Sequence, residues 1–170
     1  MRVLIALGSN LGNRADFLRR ALVGLERSGL GIRATSELFE TRAWGGAAGG
    51  DRSFLNAVVI AESELGPWEL LRRMKDIERR LGRDPQGPRN APRPIDLDLL
   101  AALGTTVSSP ELTLPHPRLW GRDFVRAPLD TLKDAAAFFP GGPPSGRGLP
   151  VRRVGGRGWH RMSPDASLGR

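Results

Sequence analysis

Apolar and polar positions alternate most cleanly over residues 92–100. Ile95, Leu97 and Leu99 fall on one side of an extended chain, and Asp96, Asp98 and Leu100 on the other, which predicts a strand running to about Leu103. Near the start, residues 3–7 form an unbroken apolar run ending at Gly8, the pattern of a buried strand. A turn cluster over residues 8–13 follows. Phe17, Leu18, Ala21, Leu22 and Leu25 then recur at helical spacing, predicting a helix from about Arg14 to Arg27, ended by Gly29 and Gly31. Ile32, Ala34, Ser36 and Leu38 are expected on one side of a second extended segment. Residues 54–61 read as a third strand, with Phe54, Asn56, Val58 and Ile60 on one face. Pro67 opens a second helix with the stripe Leu70, Leu71, Met74, Ile77 and Leu81; Gly82 closes it, and Glu78 lies beside the stripe.

The intervening segments read as loops. Residues 41–53 are rich in Gly and hold Trp44, which is either part of a surface patch or part of a lid over a ligand. Residues 83–94 carry four Pro and three Arg, including Arg83 and Arg93. Val107 and residues 112–114 suggest a small hairpin around Ser109-Pro110. Leu114-Pro115-His116-Pro117-Arg118 is a stiff turn. Phe124, Val125 and Leu129 return to the core, with Pro128 expected as a boundary, and residues 132–139 are weakly helical. Beyond Pro140 little order is expected before residues 151–154. The order strand, helix, strand, strand, helix, strand is that of a split βαβ, ferredoxin-like unit, and the fold class is α+β.

Composition narrows the function. A chain of 170 residues suits one core, and 22 Gly with 14 Pro imply many turns. There is no Cys, which removes disulfides, thiolate nucleophiles and Cys-ligated zinc. Two His are few for a zinc site. No apolar run is long enough to span a membrane, and the N-terminal run is short for a signal peptide, so a soluble cytoplasmic protein with no membrane partner is expected. The net charge is +8, carried by 24 Arg and only 2 Lys. Arg suits bidentate contact with phosphate. Much of the excess lies at the end of the chain, so we expect a catalytic domain over residues 1–140 and a basic, partly ordered extension over 141–170.

The chemistry centres on Asp96 and Asp98. On a strand their Cα atoms stand roughly 6.5–7 Å apart, at about 3.3 Å per residue, and point the same way. They are either a solvated strand face or a pair of hard oxygen ligands for divalent cations, which share such ligands with substrate phosphates. Arg93, just upstream, is placed to reach the anions that such metals carry. Asn56, on an otherwise apolar face, either bonds to backbone or reads a polar ligand edge. No G-x-x-x-x-G-K-[ST] motif or G-x-S-x-G elbow is present. Gly29-Leu30-Gly31-Ile32-Arg33-Ala34 matches a dinucleotide motif by letters, but it follows a helix and enters a strand, the wrong order.

Four separated motifs occur in sequence: Ala6-Leu7-Gly8-Ser9-Asn10-Leu11-Gly12-Asn13-Arg14, Phe54-Leu55-Asn56-Ala57-Val58, Arg93-Pro94-Ile95-Asp96-Leu97-Asp98-Leu99-Leu100, and Leu114-Pro115-His116-Pro117-Arg118 with Arg122-x-Phe124-Val125. As a set, over about residues 1–130, they resemble the 6-hydroxymethyl-7,8-dihydropterin pyrophosphokinases of folate biosynthesis. The resemblance implies an α-β-α sandwich on a ferredoxin-like core, usually monomeric. It implies transfer of pyrophosphate from ATP to the pterin hydroxymethyl group with release of AMP. Asp96 and Asp98 would hold two Mg²⁺, and Arg83 and Arg93 would neutralise the phosphates. Glu78, His116 and Arg122 would lie on the ATP side. Thr41, Trp44, Phe54, Asn56 and Phe124 would form the pterin side, and loops around 44–52 and 83–92 would act as lids. Arg42, Phe54 and Asn90 depart from residues common in the family. Two rival readings are a nucleic-acid-binding ferredoxin-like module and another Mg²⁺-dependent nucleotidyl enzyme. Two carboxylates on the exposed strand argue against the first, so no nucleic-acid partner is expected; the Asn56 and Phe124 ring-binding pair argues against the second.

Overall fold

In a computed structural model, the structure describes residues 1–41, 53–88, 91–140, 142, 151–156 and 158–161. The strand β1 (Arg2–Ser9) lies inside a sheet, and residues 3–9 are all buried, which explains why its sequence does not alternate. Its neighbours are β4 (Phe54–Glu62) and β5 (Asp96–Ala102), both antiparallel to it. The outer side of β4 is shared by two short strands, β2 (Gly31–Thr35) and β3 (Leu38–Thr41), and β3 in turn pairs with β8 (Arg152–Gly155). The order is therefore β5-β1-β4-β3-β8, with β2 also on β4. The hairpin of β6 (Val107–Ser108) and β7 (Thr113–Leu114) stands apart.

Helices α1 (Arg14–Arg27) and α2 (Pro67–Arg80) cover one face. Asn13 caps α1, its side chain accepting from the Asp16 amide at 3.1 Å. Leu18, Ala21, Leu22 and Leu25 of α1, with Leu70, Met74 and Ile77 of α2, meet Val3, Ile5, Leu7, Val59 and Leu97 of the sheet in the larger core. The two helices approach closely at Gly24, where a Cβ would lie 3.1 Å from the Ile77 side chain. On the other face, α3 (Asp123–Asp130) and a 3₁₀ turn (Lys133–Phe138) pack on Leu4, Ala6, Val58, Ile60 and Leu100. Three layers result, α-β-α, around an antiparallel sheet.

Three local expectations change. The second extended segment is two strands, broken at Ser36-Glu37, and the pairing with β4 shifts between Ile32 and Ala34. Ile32 and Leu38 consequently pack toward α1, while Ala34 packs toward α3, so these residues do not share one side. Pro128 lies inside α3 rather than bounding it, because in an eight-residue helix it removes only one late intrahelical bond. Beyond Pro140, the order expected at residues 151–154 is the edge strand β8, but Trp159, past that stretch, is also ordered and buried in the larger core.

Candidate functional site

Register determines which side chains meet. Gly8 of β1 stands opposite Asp96 on one side and Asn56 on the other, and Ala6 stands opposite Asp98 and Val58. Directly paired residues share a face. Ala6 and Val58 belong to the α3-side core, so Asp96, Asp98 and Asn56 lie on that same face, beyond the end of α3. The two-residue period thus brings both carboxylates together, as expected.

A cleft of about 650 Å³ opens over the aspartates, with Lys75, Arg79, Arg83, Arg93, Arg118 and Arg122 facing Glu78, Asp84, Asp96 and Asp98. Two positive charges are in excess, which favours a polyanion. Arg83 Nη1 donates to Asp96 Oδ1, and Arg93 Nη2 lies 2.8 Å from Asp96 Oδ2. Arg122 Nη1 donates to Asp98 Oδ2 at 2.9 Å. The carboxylates remain partly open, with side-chain exposures of 21% and 30%. Burial works against ionisation of Asp98, but Arg122, His116 and Lys75 outweigh it and hold the carboxyl below its ordinary 3.8. Asp98 is therefore held as an ionised carboxylate, and carboxylate oxygens are hard donors that suit Mg²⁺. Among the described residues no three His, Cys, Asp or Glu cluster around a metal position. A two-carboxylate site leaves coordination positions for phosphate and water, the ordinary arrangement for Mg²⁺ on a nucleotide.

Glu78 reaches the cleft wall but is only 2% exposed. Its Oε1 accepts from the Leu97 amide at 2.6 Å and from Arg83 Nη1 at 2.5 Å, and Lys75 Nζ donates to Oε2 at 3.0 Å. Burial pushes its carboxyl above the ordinary 4.5, against the pull of Lys75, the Leu97 amide and Arg83. Glu78 thus ties α2 to β5 and holds Arg83 over Asp96. For Arg83, burial disfavours the charge, but Asp96 and Glu78 outweigh it and raise its pKa. His116 is fixed by its amide, which donates to the Leu100 carbonyl at 2.7 Å, and its Nδ1 accepts from the Arg118 amide at 3.2 Å. Burial lowers its pKa below 6.5; Arg122 and Arg118 add to this, and Asp98 opposes it.

The other half of the constellation adjoins the cleft. The Arg93 guanidinium lies 5.4 Å from the Phe54 ring centre, and that of Arg122 lies 5.4 Å from Phe124. Asn56 Nδ2 donates to Thr41 Oγ1 at 2.9 Å, which leaves its carbonyl oxygen directed past Gly8. A Cβ on Gly8 would sit 3.3 Å from that oxygen, 3.6 Å from Phe54 and 4.0 Å from the Asp96 Cβ. Trp44, Arg42 and Asn90, with the whole of the first expected lid, lie outside the described residues. Of the second, residues 83–88, 91 and 92 are described, and all but Gln86 line the cleft. Two contributors escaped the sequence reading. Lys75 is signalled only by its i,i+3 spacing to Glu78. Asn10, inside the first turn motif, accepts from the Arg93 amide at 2.7 Å while its own amide donates to the Arg93 carbonyl at 3.2 Å.

Known proteins resemble this chain over about three quarters of its length. The family described as 7,8-dihydro-6-hydroxymethylpterin-pyrophosphokinase (HPPK) matches residues 4–134. A mitochondrial folate synthesis bifunctional protein of Arabidopsis thaliana is 46% identical over 134 residues, covering 79% of this chain and 24% of that protein. A 2-amino-4-hydroxy-6-hydroxymethyldihydropteridine pyrophosphokinase of Porphyromonas gingivalis is 45% identical over 130 residues, covering 75% of this chain and 87% of the relative. One of Aquifex aeolicus with the same name is 38% identical over 127 residues, covering 75% and 77%. The chain thus spans about a quarter of the plant protein but most of each bacterial one. A crystal structure of Plasmodium falciparum HPPK-DHPS superposes with a TM-score of 0.56 at 16% identity, covering 79% of this chain and 40% of that one, a likeness of fold.

Proposed function

We propose, because this chain belongs to the 7,8-dihydro-6-hydroxymethylpterin-pyrophosphokinase family, that it transfers a pyrophosphoryl group from ATP to the hydroxymethyl oxygen of a reduced pterin. The observation that carries this reading is the single sheet face that presents Asp96 and Asp98 beside Asn56, in a cleft lined by six cationic side chains.

In the reaction, the pterin hydroxymethyl oxygen attacks the β-phosphorus. The bond from that phosphorus to the oxygen bridging the α- and β-phosphorus breaks, AMP leaves, and the hydroxyl proton is released. The acceptor is a crowded polyanion, so the chief demands are charge screening and alignment. Asp96 and Asp98 would hold two Mg²⁺. When bound, these ions would screen the triphosphate and polarise its oxygens. Arg83, Arg93 and Arg122 pair with the carboxylates and would turn to phosphate oxygens as ATP enters. His116 is neutral near pH 7 and offers a ring nitrogen to the nucleotide side. Glu78 acts on ATP through Arg83, which it holds in place. Thr41 turns the Asn56 amide so that its carbonyl oxygen accepts from the pterin ring edge. Phe54 and Phe124 would flank the ring. No protein group acts as a nucleophile. We place the transferase unit within residues 1–140, acting as a cytoplasmic monomer, since each chain carries both halves of the site.

The test is incubation with Mg²⁺, ATP and 6-hydroxymethyl-7,8-dihydropterin, followed by nucleotide analysis. The expected product is AMP, formed only when pterin is present. ADP would indicate ordinary kinase chemistry, and unchanged ATP would reject the enzyme reading.

A further inference from the structure

Residues 152–156 and 158–161 lie beyond the stretch matched by the family and line none of the nucleotide cleft. They are nonetheless built into the molecule. The indole of Trp159 is 1% exposed, and its Nε1 donates to the Ser36 carbonyl at 3.0 Å. The Trp159 carbonyl accepts from Arg19 Nε at 3.2 Å. Just before it, β8 pairs along the outer edge of β3, with Phe39 opposite Arg153 and Glu40 opposite Arg152. Arg153 Nη1 also reaches Glu37 Oε2 at 3.0 Å.

Apart from the bond to Arg19 in α1, these contacts converge on residues 36–40, the start of β3. At Ser36-Glu37 the chain breaks between β2 and β3, and β3 pairs with β4 at only three positions. A strand that short, held on one side, is marginal by itself. Yet its last residue, Thr41, accepts the hydrogen bond that orients the Asn56 amide. A slip of one residue would turn Thr41 to the other face and release that amide.

We propose that β8 and Trp159 act together as a clasp, with Trp159 as a positioning residue, that fixes the register of β3 and thereby the orientation of Asn56 toward the pterin. The clasp grips β3 from both directions away from the site. β8 supplies the missing neighbour on the open edge, and Trp159 pins the carbonyl at the break from below the sheet. The nucleotide half is independent of it, because Asp96 and Asp98 are carried by β5 at the opposite edge of the sheet. The clasp rests on the reading of Asn56 as a pterin contact.

The test uses the full chain carrying Trp159→Ala, Asn56→Ala or both. Calorimetry measures affinity for the reduced pterin alcohol and, separately, for Mg²⁺ with a non-hydrolysable ATP analogue. Trp159→Ala is expected to weaken pterin binding about tenfold, leave nucleotide affinity within about twofold, and add little in the Asn56→Ala background. Hydrogen exchange at β3 amides should quicken in parallel. Trp159→Phe, which keeps the apolar fill but removes the N–H, is expected to show the same split in smaller measure, and it carries the test if the Ala variant does not fold. Equal loss of both affinities, or a lower melting temperature with both intact, would overturn the clasp. Should Asn56→Ala weaken pterin binding and Trp159 variants not, the clasp alone falls. Should Asn56→Ala bind pterin normally, the site reading falls with it.

Discussion

Burial holds the His116 imidazole below 6.5, and the guanidinium groups of Arg122 and Arg118 add to the effect while Asp98 opposes it. The unfolded chain therefore binds a proton in a pH window where the folded chain does not. Stability is full above pH 6.5 and declines as pH falls from there toward the folded pKa. His160, also lowered by burial and by Arg161 against the pull of Glu26, acts in the same sense. Urea midpoints measured from pH 7.5 to 5.5 should fall in the parent, and His116→Asn should make the slope shallower without abolishing it. An unchanged slope would mean that His116 titrates as it does in water. At this scale the sequence was informative where chemistry and period coincide. Asp96 and Asp98 were legible as a pair because period 2 is a property of the strand itself. The duty of Glu78 was not, since its partner, the Leu97 amide, lies across a helix–strand contact that no local pattern encodes. Trp159 was hidden for a related reason: one aromatic among Gly and Arg has no periodic stripe to announce burial.

Elements carry the site by register. Gly8 is the only backbone position between Asn56 and Asp96, and the open floor there depends on its having no side chain. Gly8→Val is expected to weaken pterin binding at least about tenfold while the melting temperature moves by only a few degrees, since the backbone there is ordinary strand. Calorimetry beside thermal melts checks this, and normal pterin affinity would move the ring-binding site elsewhere. The contact between α2 and β5 makes the opposite prediction. Glu78→Ala would strand the Leu97 amide and remove a buried partner of Arg83, at a cost of about 3 kcal/mol. A melting temperature lower by roughly 6–12 °C is expected. A drop within a degree or two would show that water replaces the carboxylate. Helices α1 and α2 were readable from long apolar stripes. Helix α3 was not, because eight residues with Pro128 among them give too short a stripe, and its existence depends on Leu4, Ile60 and Leu100 waiting for cover.

Across the whole molecule, an antiparallel sheet separates an apolar face, closed by α1 and α2, from one that α3 covers only in part. The uncovered part is the candidate site. The ferredoxin-like order was visible in the sequence because alternating strand and helix patterns constrain topology tightly. The edge built by β3 and β8 was not, because it joins residues more than a hundred positions apart. The central claim is that Asp96 and Asp98 are the metal-holding pair beneath the triphosphate. Its most direct test is to count Mn²⁺, substituted for Mg²⁺, by equilibrium dialysis with a non-hydrolysable ATP analogue at saturation. About two ions per chain are predicted for the parent, and the loss of at least one in Asp98→Ala with the fold intact. A full complement of metal in that variant would contradict the account.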